Sequence, residues 1–353
     1  MLNKKIHLVC EPFEGGRSGT SRSIKSLWDA LLSAGPLVHF QFIAYSEDLT
    51  FANFDPNIKK LSHLKSNQNS IVHFLSERRV WPVKGSFVIM CHDLTPQTWP
   101  YRYGYLRALY HKFYVNFFLR RASVVICPSE SIRRDLINKA GVEASRVKVI
   151  RHGINQNIFF KEEESFNMLP SDLTSRISKD FILMVSRLEH PGKNIVFAIN
   201  AYSELRKSLS TCPDLVILGS RWKGSKKIFK SIQESGFSDH IHVFESLNDD
   251  LLRHFYNAAK FFFFPSVREG FALPVLESLA CGTPVLLSDV PVLREFKEKG
   301  LLFYEAHSMS DCVSKMKELL QDSSFRENLN LDLNYWSWDR VAKETLSVYE
   351  SLS

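Results

Sequence analysis

Short apolar runs bounded by turn residues recur along this chain of 353 residues, and helical periodicities fall between them. KKIHLVCEPF (4–13) reads as a first strand and EGGRSGT (14–20) as a glycine-rich loop. The spacing of Ile24, Leu27, Trp28, Leu31 and Leu32 predicts a helix, with Thr20 or Ser21 to cap it and Gly35 to end it. Further strands are expected at VHFQFIAY (38–45), SIVHFL (70–75), SFVIMCHD (86–93), ASVVICPS (122–129) and RVKVIRHG (146–153). Residues 155–179 are polar and uneven and read as a linker. The alternation then restarts, with strands at FILMVSR, DLVILGS, IHVFES, KFFFFPS and TPVLLSD and helices between them, the last of these at PVLESLACG. Apolar runs this short suit parallel strands buried on both faces. The pattern predicts two doubly wound α/β domains, with ligand bound in a crevice at the carboxyl ends of the strands. Expected boundaries are 1–160, 161–335 and a terminal helix over 336–353.

Residues 101–121, YRYGYLRALYHKFYVNFFLRR, hold eight aromatics and five Arg or Lys. A stripe of Leu106, Leu109, Tyr110, Phe113 and Phe117 is expected to face the core, with Tyr103, Tyr114, Phe118 and the cations left over. This reads first as a core helix with amphipathic edges and second as a membrane-surface or lipid-acceptor face.

Composition narrows the class. At 44% hydrophobic residues a packed interior is expected, and the length suits two domains. No apolar run approaches the roughly 18–20 residues that span a bilayer, and the N-terminus reads as a strand, not a signal peptide. Cysteines at 10, 91, 127, 212, 281 and 312 form no CxxC pair, as expected for reduced, buried thiols of a cytoplasmic protein. Residues 1–150 hold 21 Lys and Arg against 11 Asp and Glu, a net of +10, and the remainder carries −3. The basic first half is compatible with an anionic ligand or membrane surface. No recognition motif accompanies the charge, so no nucleic acid is expected.

The chemistry concentrates in REGFALPVLESLACGTP (268–284), where Glu269 follows a buried strand and Glu277 lies eight positions on, one turn into the next helix. Pro274 suits the first turn of that helix, whose N-terminus favours an anion. Arg187 and Lys193 follow strand FILMVS, where two cations can neutralise a pyrophosphate. Gly15 and Gly16 permit close backbone approach to a phosphate ahead of a helix, and His92 ends strand FVIMC. His152 reads as structural. No two aspartates are spaced as DxD, so a metal clamp of that type is not expected.

These segments together resemble the retaining GT-B glycosyltransferases of the E-x7-E type, family 4-like, and among them bacterial polysaccharide mannosyl- and rhamnosyltransferases. EGFALPVLESLACGTPV follows that pattern over about seventeen positions, joined by EGGRSGTSRSI, CHDLTP, ICPSESIRRDLI, VKVIRHGIN, SRLEHPGKNI and the terminal SWDRVAKETLSVYESL. The family often has a small apolar residue after its paired glycines, whereas Arg17 and Ser18 stand here. The resemblance implies two Rossmann-like domains facing across a crevice, with the last helix crossing back to the first. It implies Glu277 on the ribose and Glu269 near the reacting carbon. Gly270, Phe271 and Ala272 would lie on the donor sugar, and Leu273, Gly15, Gly16, Arg187 and Lys193 on the diphosphate. His92 would sit beside the donor sugar. No cofactor or metal is implied. The expected partners are a nucleotide sugar, GDP-mannose first, a saccharide or lipid-linked acceptor, and an anionic surface on the cytoplasmic membrane face. Alternatives are a sugar-nucleotide epimerase and a non-catalytic nucleotide-sugar-binding subunit.

Overall fold

The computed structural model describes residues 4–10, 19–34, 40–44, 59–60, 67, 69–78, 80–100, 104–245 and 247–353. Gly15 and Gly16 lie outside them. The chain divides into two compact units, Met1–Gly153 with Asn334–Ser353, and Ile154–Leu333.

The first unit is built on strands β1 (Lys5–Cys10), β2 (Phe40–Ala44), β3 (Lys59–Lys60), β4 (Ser70–Phe74), β5 (Ser86–Met90), β6 (Val124–Cys127) and β7 (Val147–Val149). All pair in parallel, in the order β3-β2-β1-β4-β5-β6-β7. Successive side chains of a strand point to opposite faces, and here both faces are covered. Ile6, Leu8, Ile71, Val88, Met90 and Ile126 pack on one side against Ile24, Leu27 and Leu31 of α1 (Gly19–Ser33). Val9, Val72, Ile89, Val125 and Cys127 pack on the other against Val115, Phe118 and Leu119. Leu32, expected on the buried stripe of α1, is exposed, because the helical turn sets it at the edge of the arc that Ile24, Leu27, Trp28 and Leu31 bury.

Val115, Phe118 and Leu119 belong to a helical run made of Tyr105–Tyr110, a π-helical turn His111–Val115, and Asn116–Leu119. The run corrects the expected orientation. Its inward residues are His111, Val115, Phe118 and Leu119, whereas Leu106, Leu109, Tyr110, Phe113 and Phe117 face solvent. The segment has two apolar faces, so periodicity alone points at the wrong one.

The second unit repeats the architecture. Strands β8 (Phe181–Val185), β9 (Asp214–Leu218), β10 (Ile241–Phe244), β11 (Phe261–Phe264), β12 (Val285–Ser288) and β13 (Leu301–Tyr304) form a parallel sheet ordered β10-β9-β8-β11-β12-β13. Helices α2 (Ile195–Lys207), α3 (Ser225–Glu234), α4 (Asp249–Ala258), α5 (Leu273–Ala280) and α6 (Met309–Gln321) connect or follow them. The strand order reverses between β8 and β11, and that switch point is where open α/β sheets place their ligands. The polar stretch 155–179 is no loose linker. Phe159, Leu169 and Ile177 are buried, the Phe166 ring lies 6.4 Å from that of Phe181, and Glu162 N donates to Asn257 Oδ1 of α4 at 2.8 Å.

The chain ends in α7 (Trp338–Ser351), which returns to the first unit, where Val341, Ala342, Val348 and Tyr349 complete the core shared by α1 and β1. The Tyr349 hydroxyl lies 2.6 Å from His73 Nδ1 on β4. Gly153 makes the return possible, since a Cβ there would stand 2.6 Å from Trp338 N.

Candidate functional site

Past the end of β8 the chain runs on through Ser186, Arg187 and Leu188, with Ser186 N bonded to Leu218 O and Leu188 N to Ser220 O at 3.0 and 2.8 Å. Gly219 allows this approach, because a Cβ there would lie 1.8 Å from Ser186 O. Arg187 places its guanidinium 4.8 Å over the Trp222 ring, which holds a planar cation in one orientation.

Lys193 stands two residues before α2, and its Nζ lies 2.5 Å from Glu269 Oε1 with side-chain exposures of 17% and 12%. Ser266 Oγ donates to the same oxygen at 2.6 Å. Val267 N donates to Gly192 O at 3.3 Å, which ties the loop after β11 to the turn before α2. Ser186, Lys193, Phe264, Pro265 and Ser266 gather at these strand ends. Lys193 and Glu269, far apart in sequence, therefore meet at the switch point of the second sheet.

Gly270 and Phe271 lead into α5, which begins at Leu273 with Pro274 in its first turn. Ala272 caps it in the left-handed region at φ 85°, a conformation that costs a residue with a Cβ and that clusters at functional sites. Phe271, Ala272 and Leu273 are buried. Glu277 is 3% exposed, and its Oε2 accepts a hydrogen bond from the Tyr256 hydroxyl at 3.0 Å. The bond from Tyr256 holds the carboxylate in one orientation. Tyr256 is itself fully buried on α4, and its carbonyl accepts from the Thr283 hydroxyl at 2.5 Å.

In the first unit His92 follows β5 and is buried. Its Nε2 lies 3.0 Å from Leu75 O, and a carbonyl only accepts, so Nε2 carries the proton and Nδ1 is left as an acceptor. Burial holds the ring neutral, lowering its pKa to about 4. His92 N donates to Glu77 Oε2 at 3.0 Å, and burial, reinforced by nearby Asp93 against the opposing pull of Arg78, pushes Glu77 up to about 7. The His152 ring lies 5.6 Å from both the His92 and Trp338 rings and is likewise kept neutral by burial.

Sequence reasoning missed Ser266, Tyr256, Trp222, Gly219 and Glu77. Ser266, three positions before Glu269 in a strand-end loop, carried a weak signal. Tyr256, twenty-one positions before Glu277, carried none. Among the described residues no group of three or more His, Cys, Asp and Glu is gathered as a metal-ligand set.

Comparison with known proteins agrees with this architecture. Residues 33–157 match the model described as Glycosyltransferase Family 4, and residues 169–331 the model described as Glycosyl transferases group 1. The serotype-specific mannosyltransferase WbdA of Escherichia coli is 28% identical over 291 residues, 80% of this chain and 35% of that protein. The O-antigen chain mannosyltransferase RfbU of Salmonella typhimurium is 22% identical over 240 residues, 68% of this chain and 62% of that one. This chain thus spans about a third of WbdA. Sucrose-phosphate synthase from Thermosynechococcus elongatus superposes with a TM-score of 0.76 at 18% identity, covering 99% of each chain. Anabaena HepE, in complex with UDP and glucose, does so with 0.76 at 13%, covering 98% of this chain and 99% of that one. With a family 4 domain followed by a group 1 domain, each on its own parallel sheet, the chain belongs to the GT-B glycosyltransferases.

Proposed function

We propose that the chain is a retaining enzyme that moves a hexose, mannose from GDP-mannose first, from a nucleoside-diphosphate sugar to a saccharide or lipid-linked saccharide acceptor in the making of a surface polysaccharide. The observation that carries the reading is the Lys193–Glu269 pair at the switch point, followed by the buried, tyrosine-held Glu277 one turn into α5. The names of WbdA and RfbU support mannose and O-antigen, and the HepE complex with UDP and glucose supports a nucleotide bound on this fold.

In this reading the bond between the anomeric carbon and the phosphate oxygen breaks and the diphosphate leaves with the electron pair, while the acceptor hydroxyl oxygen bonds the anomeric carbon and its proton passes to the departing phosphate oxygen. Lys193 and Arg187 neutralise the charge that grows on it, so no metal is required for the leaving group. The N-terminus of α5, entered through Phe271, Ala272 and Leu273, faces the distal phosphate. Glu277 accepts from the ribose hydroxyls and Glu269 lies near the anomeric carbon; in the first unit, His92 presents Nδ1 as an acceptor. Among the described residues no helix is long and apolar enough to cross a membrane. We place the chain in the cytoplasm, working on a lipid-linked acceptor at the anionic membrane face.

The test is turnover with a panel of nucleotide sugars, with and without acceptor and EDTA. Transfer that survives EDTA is expected. Isomerisation of the donor without nucleoside-diphosphate release would instead identify an epimerase, and tight binding without turnover a binding subunit. Glu277→Ala should weaken donor binding on the order of tenfold to a hundredfold, the worth of one lost bond to a charged acceptor. Unchanged affinity in calorimetry would remove the ribose role.

A further inference from the structure

The helical run 105–119 is apolar on both sides. Its inner residues fill the core of the first unit, yet Leu106 is 85% exposed, Tyr105 73% and Phe113 68%, with Leu109 and Phe117 also open to solvent. A helix apolar all round is one whose second face meets something other than water.

The outer face is ordered. Tyr105, Leu109, Phe113 and Phe117 recur every four residues. A straight α-helix, at 3.6 residues per turn, would carry that row progressively around the axis. The π turn His111–Val115 winds more widely and brings the row back into line, so it stays on one side of the run. The rings brace one another. Tyr110 and Tyr114 stack at 5.0 Å, and the Tyr114 hydroxyl is tied to Val80 O at 2.9 Å. Arg121 lies 3.6 Å over the Phe117 ring.

Charge decides what the face meets. From Leu94 to Ser129 the sequence holds no Asp or Glu, but five cations, Arg102, Arg107, Lys112, Arg120 and Arg121. Of these, Arg107, Lys112, Arg120 and Arg121 are described and all are exposed. A second copy packed face to face would bring these like charges against their own images, with no acid of the segment to offset them. An anionic bilayer instead attracts cations to its phosphates and takes Leu, Phe and Tyr into its interfacial layer. We infer that the outer face of the run 105–119 docks on an anionic lipid bilayer, with Leu106 and Phe113 inserted and Arg107, Lys112 and Arg121 at the headgroups. This deepens the membrane placement proposed above by naming the surface that makes it.

The experiment is flotation of the full chain with phosphatidylcholine vesicles containing or lacking phosphatidylglycerol, at low and high salt. Three chains are compared: the parent, Leu106→Ser/Phe113→Ser, and Arg107→Gln/Lys112→Gln/Arg121→Gln. Arg120 is spared because its Nε bonds Ala140 O at 2.7 Å. The parent should bind only vesicles with phosphatidylglycerol and less at high salt. The charge variant should lose roughly fivefold per cation, about a hundredfold in all, and the apolar variant tenfold or more. Parent protein that ignores anionic vesicles at low salt would overturn the inference. So would light scattering that shows a dimer dissolved by the apolar substitutions, which would make a second copy the occupant. Nucleoside-diphosphate affinity should be equal in all three chains, so a failure of docking is distinguishable from a failure of the transferase reading.

Discussion

Glu269→Gln separates two effects of one carboxylate. In the free protein Glu269 Oε1 holds Lys193 Nζ at 2.5 Å and accepts from Ser266 at 2.6 Å. Glutamine keeps the shape and an oxygen for Ser266 but removes the charge that competes for Lys193. Exposed ion pairs contribute about 0.2–1 kcal/mol, and breaking a fully buried one costs about 3–5 kcal/mol. With 17% and 12% of the side chains exposed this pair falls between those limits, so the charge competition is about 1–3 kcal/mol. Lys193 released from the carboxylate offers that amount to an incoming diphosphate. Nucleoside diphosphate should bind roughly 5- to 150-fold more tightly, while turnover falls on the order of a hundredfold or more for loss of the group near the anomeric carbon. Calorimetry with GDP and a nucleoside-diphosphate release assay read the two effects independently. Weaker GDP binding would mean that Lys193 does not meet the diphosphate, and unchanged turnover would remove Glu269 from the reacting centre.

Tyr256→Phe deletes the donor to buried Glu277 and should lower stability by about 1.5–3 kcal/mol, read in calorimetry as a fall of roughly 3–12 °C in Tm; an unchanged Tm would mean that the bond contributes nothing. Gly219→Ala forces a Cβ to 1.8 Å from Ser186 O and should cost about 3 kcal/mol or more, with loss of soluble yield; a variant that melts like the parent would contradict the packing between β8 and β9. The pH dependence of stability follows from the first unit. His73, held near 3, and His92 and His111, held near 4, are neutral in the fold while the unfolded chain takes up protons below about 6.5, so stability falls as pH drops through that range. Glu77, raised to about 7 from 4.5, has the opposite sign, its contribution being complete below pH 4.5 and lost as pH rises through 7. Three imidazoles outweigh one carboxyl, so Tm should decline steadily from pH 7 to 5, and a Tm that rises on acidification would refute the assignment.

The strands and the two acids are legible because their signals are local. β8 and β11 are short apolar runs ending in turns, and Glu269, Pro274 and Glu277 lie within nine residues of one another. The meeting of Lys193 with Glu269 follows only from the strand order that sets β11 beside β8. Tyr256 could not be found, since α4 brings it to Glu277 through tertiary packing alone. β3, β13 and α6 escape the pattern: β3 is two residues long, and β13 is a half-buried edge strand after a charged turn, so their signals are weak. The run 105–119 reads inside out from its periodicity because an exposed apolar stripe passes for the core stripe. Two such stripes exist, and the π turn that sets their register leaves no mark in the sequence.

The configuration of the product distinguishes retaining transfer from every other outcome. The purified chain is incubated with GDP-mannose and a lipid-linked saccharide, and the anomeric configuration of the new bond is read by NMR while GDP release is followed in the same sample. Stoichiometric GDP and a glycosidic bond that keeps the donor's configuration are expected, with both lost on Glu269→Ala. An inverted bond, or transfer that survives Glu269→Ala undiminished, would contradict retaining transfer at Glu269.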